Sequence, residues 1–278
     1  MAKFKSRARS LDMLGRQQIA GIPTALNELF KNAHDAYADN VDVDFFRKQN
    51  IVLIRDNGVG MTIDDFEKRW LTIGTESKLE TNAGISKPYI PQNKELRPTM
   101  GEKGVGRLAI AIIGPQVLII TRAERADGLH KYVVSFINWS MFELPGVDLD
   151  EIIVPVQLVE NLTEINNTFV AELIQQVRNN VNDLSNKTDE TLIQRIQKEL
   201  SLFNFDERII RLSYGPKLTE EGHGTFFYVQ PANEDLVRDI EDEKGSEAST
   251  LHKMLCGFTN TMCGKNIPIK AEFRDHLS

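Results

Sequence analysis

The sequence predicts an α+β protein in which helices cover one face of a sheet, and three observations support this class. Residues 23–38 have the spacing of an amphipathic helix, and residues 40–48 alternate apolar and polar side chains in the manner of a half-buried strand. Residues 50–61 contain an apolar run that ends in a glycine-rich turn. Because helical and strand patterns continue to alternate after this point, we expect a two-layer sandwich.

The later elements follow the same periodicities. Helical patterns occur at 63–74, 106–113, twice between 169 and 203, and at 248–263, and strand patterns occur at 116–123, 130–139, 222–229 and 265–273. Residues 75–106 are a long polar stretch with few apolar side chains. A loop of this length is usually functional or disordered.

Composition limits the classes of protein that the chain can represent. The 278 residues are 41% hydrophobic and 26% charged, which predicts one large domain or one domain with an appendage. No apolar run approaches the ~20 residues of a membrane helix, and the first residues lack an apolar signal core, so we expect a cytoplasmic protein. Cys256 and Cys263 lack the spacing of a zinc site, and we expect both to be plain thiols.

The charge distribution gives little indication of a nucleic-acid partner. The net charge is -7, which provides no overall attraction to a polyanion. The N-terminal segment is locally basic, through Lys3, Lys5, Arg7, Arg9 and Arg16. This basic arm either contacts a partner or is a solvated terminus.

Three polar residues in the first helix are spaced to share one face. Glu28, Asn32 and Asp35 follow each other at intervals of four and three, between apolar residues. With 3.6 residues per turn, these positions project along a single stripe. The stripe is therefore a candidate functional site.

Two glycine-containing turns are further candidates. Asp56 ends an apolar strand and is followed by Gly58 and Gly60, which allow a flat ligand to approach the backbone, although the same letters also occur in an ordinary turn. In the second turn, glycines precede an apolar helix and expose backbone amides that suit phosphate. These glycines are Gly101, Gly104 and Gly106. The spacing is neither that of a P-loop nor that of a dinucleotide-binding turn.

The order of these parts resembles the GHKL ATPases, which include gyrase B, the ninety-kilodalton heat-shock chaperone, histidine kinases and MutL. The motifs are ExxxNxxDA on a helix, DNGxGM after a strand, IGTESK, a long loop, GxxGxG before a helix and a late GT strand. They cover roughly residues 20–230, and "WLTIGTESK" and "GEKGVGRLAI" are most similar to the chaperone and MORC-type branch. The resemblance implies the Bergerat fold, with a mixed and mostly antiparallel sheet, and it implies binding of ATP with Mg²⁺.

The resemblance also implies roles for the stripe on the first helix. Glu28 matches the glutamate that orients or deprotonates the attacking water, and Asn32 matches the asparagine that binds magnesium. Residues four apart on a helix reach the same ion, and magnesium prefers oxygen ligands. Asp35 and Ala36 complete the motif, and Asp35 either organises the pocket or is a surface charge.

The remaining nucleotide contacts are carried over from the matching motifs. The adenine contacts are Asp56, Gly58, Gly60, Met61 and Thr225, and the contacts near the phosphates are Gly74, Thr75, Gly101, Lys103, Gly104, Val105 and Gly106. Lys103 either neutralises phosphate charge or faces solvent. His223 is interpreted as a strand-edge residue.

The resemblance further implies a lysine, supplied by a following domain, that holds the γ-phosphate. No motif assigns this role here, although Lys265 and Lys270 lie in the corresponding part of the chain. We therefore expect a further domain or a partner protein.

The predicted organisation has three parts. Residues 1–20 form an N-terminal arm, 21–232 the ATP-binding domain and 233–278 a C-terminal helix with the possible start of a transducer domain. Within the domain, a lid covers about 74–103. A longer segment at about 160–205 is either an insertion that binds a partner or a pair of packing helices.

Three functions fit this organisation. The first is a slow ATPase whose nucleotide closes the lid and drives homodimerisation. The second is a histidine-kinase phosphotransfer domain, and the third is a nucleotide-gated interaction module with negligible turnover. Glu28 in a hydrolytic context favours the first function over the second.

Overall fold

A computed structural model describes residues 5–73, 89–92, 94–101, 106–219, 221–241, 251, 253 and 269–277. The described helices are α1 (Arg9–Leu14), α2 (Gly21–Asp35), α3 (Ile63–Asp65), α4 (Ile110–Ile113), α5 (Asn167–Leu184), α6 (Glu190–Leu202) and α7 (Asp235–Glu241). A π-helix, Phe66–Trp70, continues α3, and short 3₁₀ helices include Gly106–Ala109, Trp139–Glu143 and Leu149–Glu151. The predicted helix at 248–263 lies, apart from residues 251 and 253, outside the described residues.

The strands form one mixed sheet. They are β1 (Asn40–Phe46), β2 (Ile51–Asp56), β3 (Gln116–Arg125), β4 (Gly128–Asn138), β5 (Val156–Val159), β6 (Gly224–Val229) and β7 (Lys270–His276). Their order across the sheet is β5-β4-β3-β6-β2-β1-β7, and every neighbouring pair is antiparallel except β1 with β7. The predicted fold class, a mixed and mostly antiparallel sheet with helices packed on it, is confirmed.

Helix α2 packs its apolar side on one face of the sheet. Its buried residues include Ala25, Leu26, Leu29, Phe30 and Ala33, which recur with helical spacing. The 3₁₀ turn at Gly106–Ala109 and α4 pack against α2 on the same face and bury Leu108 and Ile110. This packing fixes the position of α2, and the polar residues on its remaining side border a cavity.

The opposite face of the sheet is covered by α5, α6 and the chain that follows them, so the helices are not confined to the one face that the sequence predicts. Strand alternation points Phe136 and Tyr228 away from the α2 face, and both rings contact Phe203, directly after α6. Both helices bury an apolar stripe, composed of Val170, Leu173, Val177, Val181, Leu184, Ile193, Ile196 and Leu200. These are the contacts of packing helices, and a partner-binding role for 160–205 stays a prediction.

The described part of the N-terminal arm lies on its own chain. The Ala8 amide donates to the Val147 carbonyl at 3.0 Å, and the Leu149 amide donates to the Ser6 carbonyl at 2.9 Å. Leu11 is buried, and Arg16 pairs with Asp12 and Glu143. Residues 5–16 are thus fixed against the 3₁₀ segments after β4.

At the other end of the chain, β7 lies beside β1, so residues 270–276 form an edge of the same sheet. The domain boundary at 233 stays a prediction. No helix in the described part of the chain is long and apolar enough to cross a membrane.

A network of charged side chains lies on the face of the sheet opposite α2 and connects β1, β2 and β7. Arg55 is fully buried, and its guanidinium donates to Asp44 at 2.7 Å and to the carbonyls of Tyr214 and Pro216 at 2.7 and 3.0 Å. Asp44 also accepts from the Tyr214 hydroxyl at 3.0 Å and lies 2.9 Å from His276 of β7. The network joins the middle of the sheet to its edge strand.

We predict that Arg55→Met destabilises the protein strongly. Removing one member of a buried ion pair leaves the other charge uncompensated, at a cost of about 3–5 kcal/mol. Urea unfolding of the nucleotide-free protein measures this loss. Arg208→Met is the matched control, because the Arg208 side chain is 85% exposed and pairs only locally with Asp206. Equal stability of the two variants would show that the network contributes nothing.

Candidate functional site

A cavity of about 680 Å³ lies between α2, the turn after β2 and the start of α4. Its lining includes most of the described residues that the sequence predicts as site residues. They are Glu28, Asn32, Asp35, Ala36, Asp56, Gly60, Met61, Gly101, Gly106 and Thr225. Residues 74, 75 and 103–105 lie outside the described residues, so the predictions for Gly74, Thr75, Lys103, Gly104 and Val105 stay untested. The cavity therefore joins the helix stripe to both glycine turns.

Helix α2 forms one wall of the cavity, and the distance between its polar residues sets the length of that wall. Residues 28 and 36 are separated by about 12 Å along a helix that rises 1.5 Å per residue. Ala36 lies at the end of the cavity near Asp56, because a Cβ atom added to Gly58 would meet the Ala36 carbonyl at 2.7 Å. Glu28 lies two turns away, so the cavity has two chemically distinct ends.

At the far end, Glu28 and Asn32 lie against the backbone of Gly106. A Cβ atom at position 106 would lie 2.8 Å from Oε2 of Glu28 and 3.8 Å from Oδ1 of Asn32. The other carboxylate oxygen of Glu28, Oε1, accepts from Lys31 at 2.7 Å. Lys31 thus orients the carboxylate so that Oε2 lies next to the glycine turn.

Asp35 holds the chain that leads into the second glycine turn. Its two carboxylate oxygens accept from the backbone amides of Met100 and Gly101 at 2.8 and 3.0 Å. Of the two alternatives for Asp35, the structure thus favours an organising residue over a surface charge.

The chain just before Met100 is fixed to the same region. Lys94 donates to the Tyr37 carbonyl and Arg97 donates to the Ala38 carbonyl, each at 2.7 Å. Both side chains also pair with Asp39. Residues 94–101 are therefore tied to the end of α2.

At the near end, Asp56 is buried at the last position of β2. Its carboxylate accepts from the Gly58 amide at 2.8 Å, and its backbone pairs with Thr225 of β6. Burial raises the pKa of Asp56 to about 7, although hydrogen bonds from the backbone of Gly58 and Thr225 act in the opposite direction. In its ionised form this buried carboxylate has no charged partner among the described residues, so a ligand that donates a hydrogen bond to it stabilises that form.

The turn after Asp56 has a backbone that requires glycine. Gly60 has a φ of 60°, and a Cβ atom there would lie 2.0 Å from the Arg122 carbonyl of β3. The next amide, that of Met61, donates to the hydroxyl of Thr121 at 3.0 Å. Thr121 also contacts the hydroxyl of Thr225 at 3.0 Å. The turn is thus held closely against β3 and β6.

Arg125 of β3 fixes the outer side of the same turn. Its guanidinium donates to the carbonyls of Val59 and Gly60 at 2.7 and 3.2 Å and pairs with Asp65 at 2.5 Å. Burial alone would raise the pKa of Asp65, but hydrogen bonds from Thr62 and the pair with Arg125 hold that pKa below its usual value. Asp65 therefore stays ionised as the partner of Arg125.

His223 supports the turn from behind and lies outside the cavity lining. Its Nδ1 lies 2.6 Å from the Gly58 carbonyl, and its Nε2 lies 3.3 Å from Glu124. Gly58 itself also lies behind the lining, under Ala36. The interpretation of His223 as a non-catalytic residue just before β6 agrees with this position.

Of the two candidates for a γ-phosphate lysine, the one that the structure describes, Lys270, is outside the cavity lining. Lys270 lies on β7, pairs with Glu272 and borders a separate cavity of about 540 Å³. Lys265 lies outside the described residues. Among the described residues, no cluster of three or more His, Cys, Asp or Glu side chains could hold a metal ion by itself.

Sequence patterns missed several residues that build the cavity. Lys31 was detectable as a residue three positions after Glu28 on the same helix. Thr121 is a polar residue within the apolar run of β3, which is a weaker signal. Arg69, Arg107 and Arg125 also line the cavity, and no local spacing connects them.

Comparison with known proteins gives a match over most of this site. Residues 21–168, just over half of the chain, match the family described as Histidine kinase-, DNA gyrase B-, and HSP90-like ATPase. A curated protein from Herpetosiphon aurantiacus, named Putative type II restriction enzyme HgiDII, is 35% identical over 83 residues. That segment is 30% of this chain and 12% of the relative, so the chain matches a small part of that protein.

We predict that Asp56→Asn stabilises the nucleotide-free protein, and more so as the pH rises. Because the folded state holds the Asp56 proton up to about pH 7, wild-type stability falls by about 1.4 kcal/mol per pH unit between the ordinary aspartate pKa and that value. The neutral asparagine has no such loss.

Urea unfolding at pH 5, 6, 7 and 8 measures this difference between variant and wild type. It should increase from pH 5 to pH 7 and then level off. Asp150→Asn, at an exposed position outside the cavity, is the matched control. A difference that stays constant from pH 5 to 8 would show that Asp56 does not hold a proton in the folded state.

Proposed function

The chain belongs to the histidine kinase-, DNA gyrase B- and HSP90-like ATPase family, and on that premise we propose that the cavity beside α2 binds ATP with Mg²⁺ and hydrolyses it slowly. The observation that carries the proposal is the cavity itself. One end has a buried carboxyl group, Asp56, and the other has Glu28 and Asn32 against a glycine backbone. These two ends suit the base and the phosphates of one nucleotide.

The proposed base-binding end is formed by Asp56, Met61 and Thr225. The Asp56 carboxyl accepts from the exocyclic amino group of adenine, and a guanine carbonyl at that position would face an acceptor. The hydroxyls of Thr121 and Thr225 lie beside it and add further hydrogen-bonding groups. A site built to pair with an amino group discriminates strongly against a ligand that lacks it.

The proposed metal-binding end fits magnesium in its donor atoms. Oδ1 of Asn32 is an oxygen donor, and it lies where the missing Cβ atom of Gly106 leaves room. Magnesium is usually held by one or two protein oxygens together with substrate phosphates and waters. When bound, the ion would neutralise phosphate charge, and Asn32 would be its ligand.

Glu28 is the proposed catalytic residue. Lys31 occupies one of its carboxylate oxygens and leaves the other directed towards Gly106. From there, the carboxylate accepts a proton from the water that attacks the terminal phosphate, or orients that water. Arg125, Thr121 and Asp35 hold the surrounding backbone and have no part in this step.

We also propose a nucleotide-gated lid and ATP-driven dimerisation, as the family resemblance implies. The lid spans residues 74–103. Its fixed end is formed by residues 94–101, which are held by hydrogen bonds to Asp35 and ion pairs with Asp39. The N-terminal arm would pass to a second copy, which requires its present contacts with Val147 and Leu149 to break. Leu14, Gln18 and Ile19 border the cavity, so the arm is placed to respond to a ligand.

Two alternatives remain open. They are a histidine-kinase phosphotransfer domain and a nucleotide-gated module with negligible turnover. The pairing of Glu28 with Lys31 at the cavity wall favours hydrolysis, since it orients a carboxylate at the phosphate end. The name of the Herpetosiphon relative refers to restriction, but the match covers only 12% of that protein, so the name indicates no restriction activity for this chain.

We predict that Glu28→Gln loses most ATP turnover while it keeps ATP binding. Loss of a general base typically lowers a rate by about 10²- to 10⁴-fold, and glutamine keeps the shape of the side chain. Phosphate release with and without Mg²⁺ measures turnover, and calorimetry measures binding. Glu172→Gln on the exposed side of α5 is the control. An unchanged rate in Glu28→Gln would exclude this role, and Mg²⁺-independent or absent turnover in the wild type would favour the alternatives.

We predict a dimer with a non-hydrolysable ATP analogue and a monomer with ADP, as measured by light scattering after size exclusion. Removal of residues 2–8 should weaken this dimer without weakening nucleotide binding. This deletion removes the contacts at Val147 and Leu149 and retains the cavity residues Leu14, Gln18 and Ile19. A dimer whose stability is independent of nucleotide would contradict the switch, and an unaffected dimer in the deletion variant would exclude the arm from it.

A further inference from the structure

Two arginines from separate segments line the cavity and lie close enough to interact electrostatically. Arg69 lies in the π-helix Phe66–Trp70, and Arg107 directly follows Gly106. Both line the cavity, and position 106 lies against Glu28 and Asn32. Arg107 therefore starts at the end of the cavity opposite Asp56, and Arg69 faces the same cavity from the segment that follows β2.

The surroundings of Arg69 leave part of its guanidinium unused. Its Nη1 lies 3.3 Å from Asp65, a long contact to a carboxylate that already pairs with Arg125 at 2.5 Å and accepts from Thr62. The Nε atom of Arg69 is buried and has no hydrogen-bond partner among the described residues. A buried donor without a partner is costly, so a ligand that accepts from it gains affinity.

The two arginines are also close enough to repel each other. Burial first, and the charge of Arg69 second, lower the pKa of Arg107 to about 10. Like charges that share a partly buried wall are unfavourable unless an anion lies against them. A guanidinium presents parallel N–H donors that match two oxygens of one phosphate.

From this arrangement, we propose that Arg69 and Arg107 together bind the terminal phosphates of the nucleotide, so that the site selects polyphosphate over nucleoside. The inference rests on the proposed ATP-binding function and adds the part of the ligand that these residues recognise. Arg69 approaches from the turn after β2 and Arg107 from the start of the α4 segment. A phosphate chain between them would link the two glycine turns of the cavity.

The test is calorimetry with adenosine, AMP, ADP, ATP and inorganic tripolyphosphate, each with Mg²⁺, on the full chain. For the wild type, affinity should rise from adenosine to ATP. Arg69→Gln and Arg107→Gln should each weaken ATP by about 10- to 100-fold, the usual range for a hydrogen bond to a charged group. Adenosine affinity should change by less than about threefold, because the base end keeps all its contacts.

Two sets of controls keep the result interpretable. Lys68→Gln removes a positive charge one residue away, where the side chain is 68% exposed and outside the cavity lining, and it should leave every affinity unchanged. Arg69→Lys and Arg107→Lys keep the charge and lose the paired donors, and they should weaken ATP less than the glutamine variants do. These lysine variants and the wild-type ligand series decide the question if a glutamine variant does not fold.

The outcomes separate this inference from the proposed function. Wild-type protein that binds ATP and adenosine equally, or arginine variants that weaken both ligands equally, would overturn the arginine pair and leave ATP binding intact. Wild-type protein that binds no nucleotide but binds tripolyphosphate through both arginines would support the anion site and overturn the proposed function.

Discussion

The end of β2 places two ionisable groups in buried positions on opposite faces of the sheet, and the site depends on how each is stabilised. Strand alternation directs Arg55 to one face and Asp56 to the other. Arg55 is compensated by Asp44 and two backbone carbonyls, which fix β1, β2 and the chain at Tyr214. Asp56 has backbone amide donors and a raised pKa, so it remains available for a ligand. One strand thereby carries a structural guanidinium and a binding carboxyl group at adjacent positions.

The cavity is held in shape by contacts that its own residues make before any ligand enters. Thr121 and Arg125 of β3 bind the backbone of the turn after Asp56, and Asp35 binds the backbone before the second glycine turn. Each of these contacts satisfies a main-chain donor or acceptor of a segment that borders the cavity. Preorganised donors and acceptors of this kind lower the cost of ligand binding, because little has to be ordered when the ligand arrives.

Helix α2 connects the chemistry at the two ends of the cavity to the rest of the molecule. Its polar side carries Glu28, Asn32 and Asp35, while its apolar side is packed on the sheet and against α4. The end of the helix also receives the ties from Lys94 and Arg97. A ligand that contacts this helix therefore acts on a rigid element, which is bordered by the N-terminal arm on one side and by residues 94–101 on the other.

The sequence alone determined the local elements and the parts of the site that follow local periodicity. The spacing of Glu28, Asn32 and Asp35 on one helix face, and the position of Asp56 at a strand end, depend on neighbours a few residues away. The fold class followed from the same periodicities and from the motif order. Tertiary structure decided the contacts between distant segments, which no local period records.

Thr121 and Thr225 meet because β3 and β6 are adjacent, and Arg125 reaches Val59 across the sheet. Arg69 and Arg107 belong to separate short helices and become neighbours only because both helices border the same cavity. Likewise, the packing of α5 and α6 on the second face, and the place of β7 beside β1, depend on which apolar surface each segment finds. Burial of apolar surface across the whole molecule determines these contacts, and short-range spacing in the sequence does not predict them.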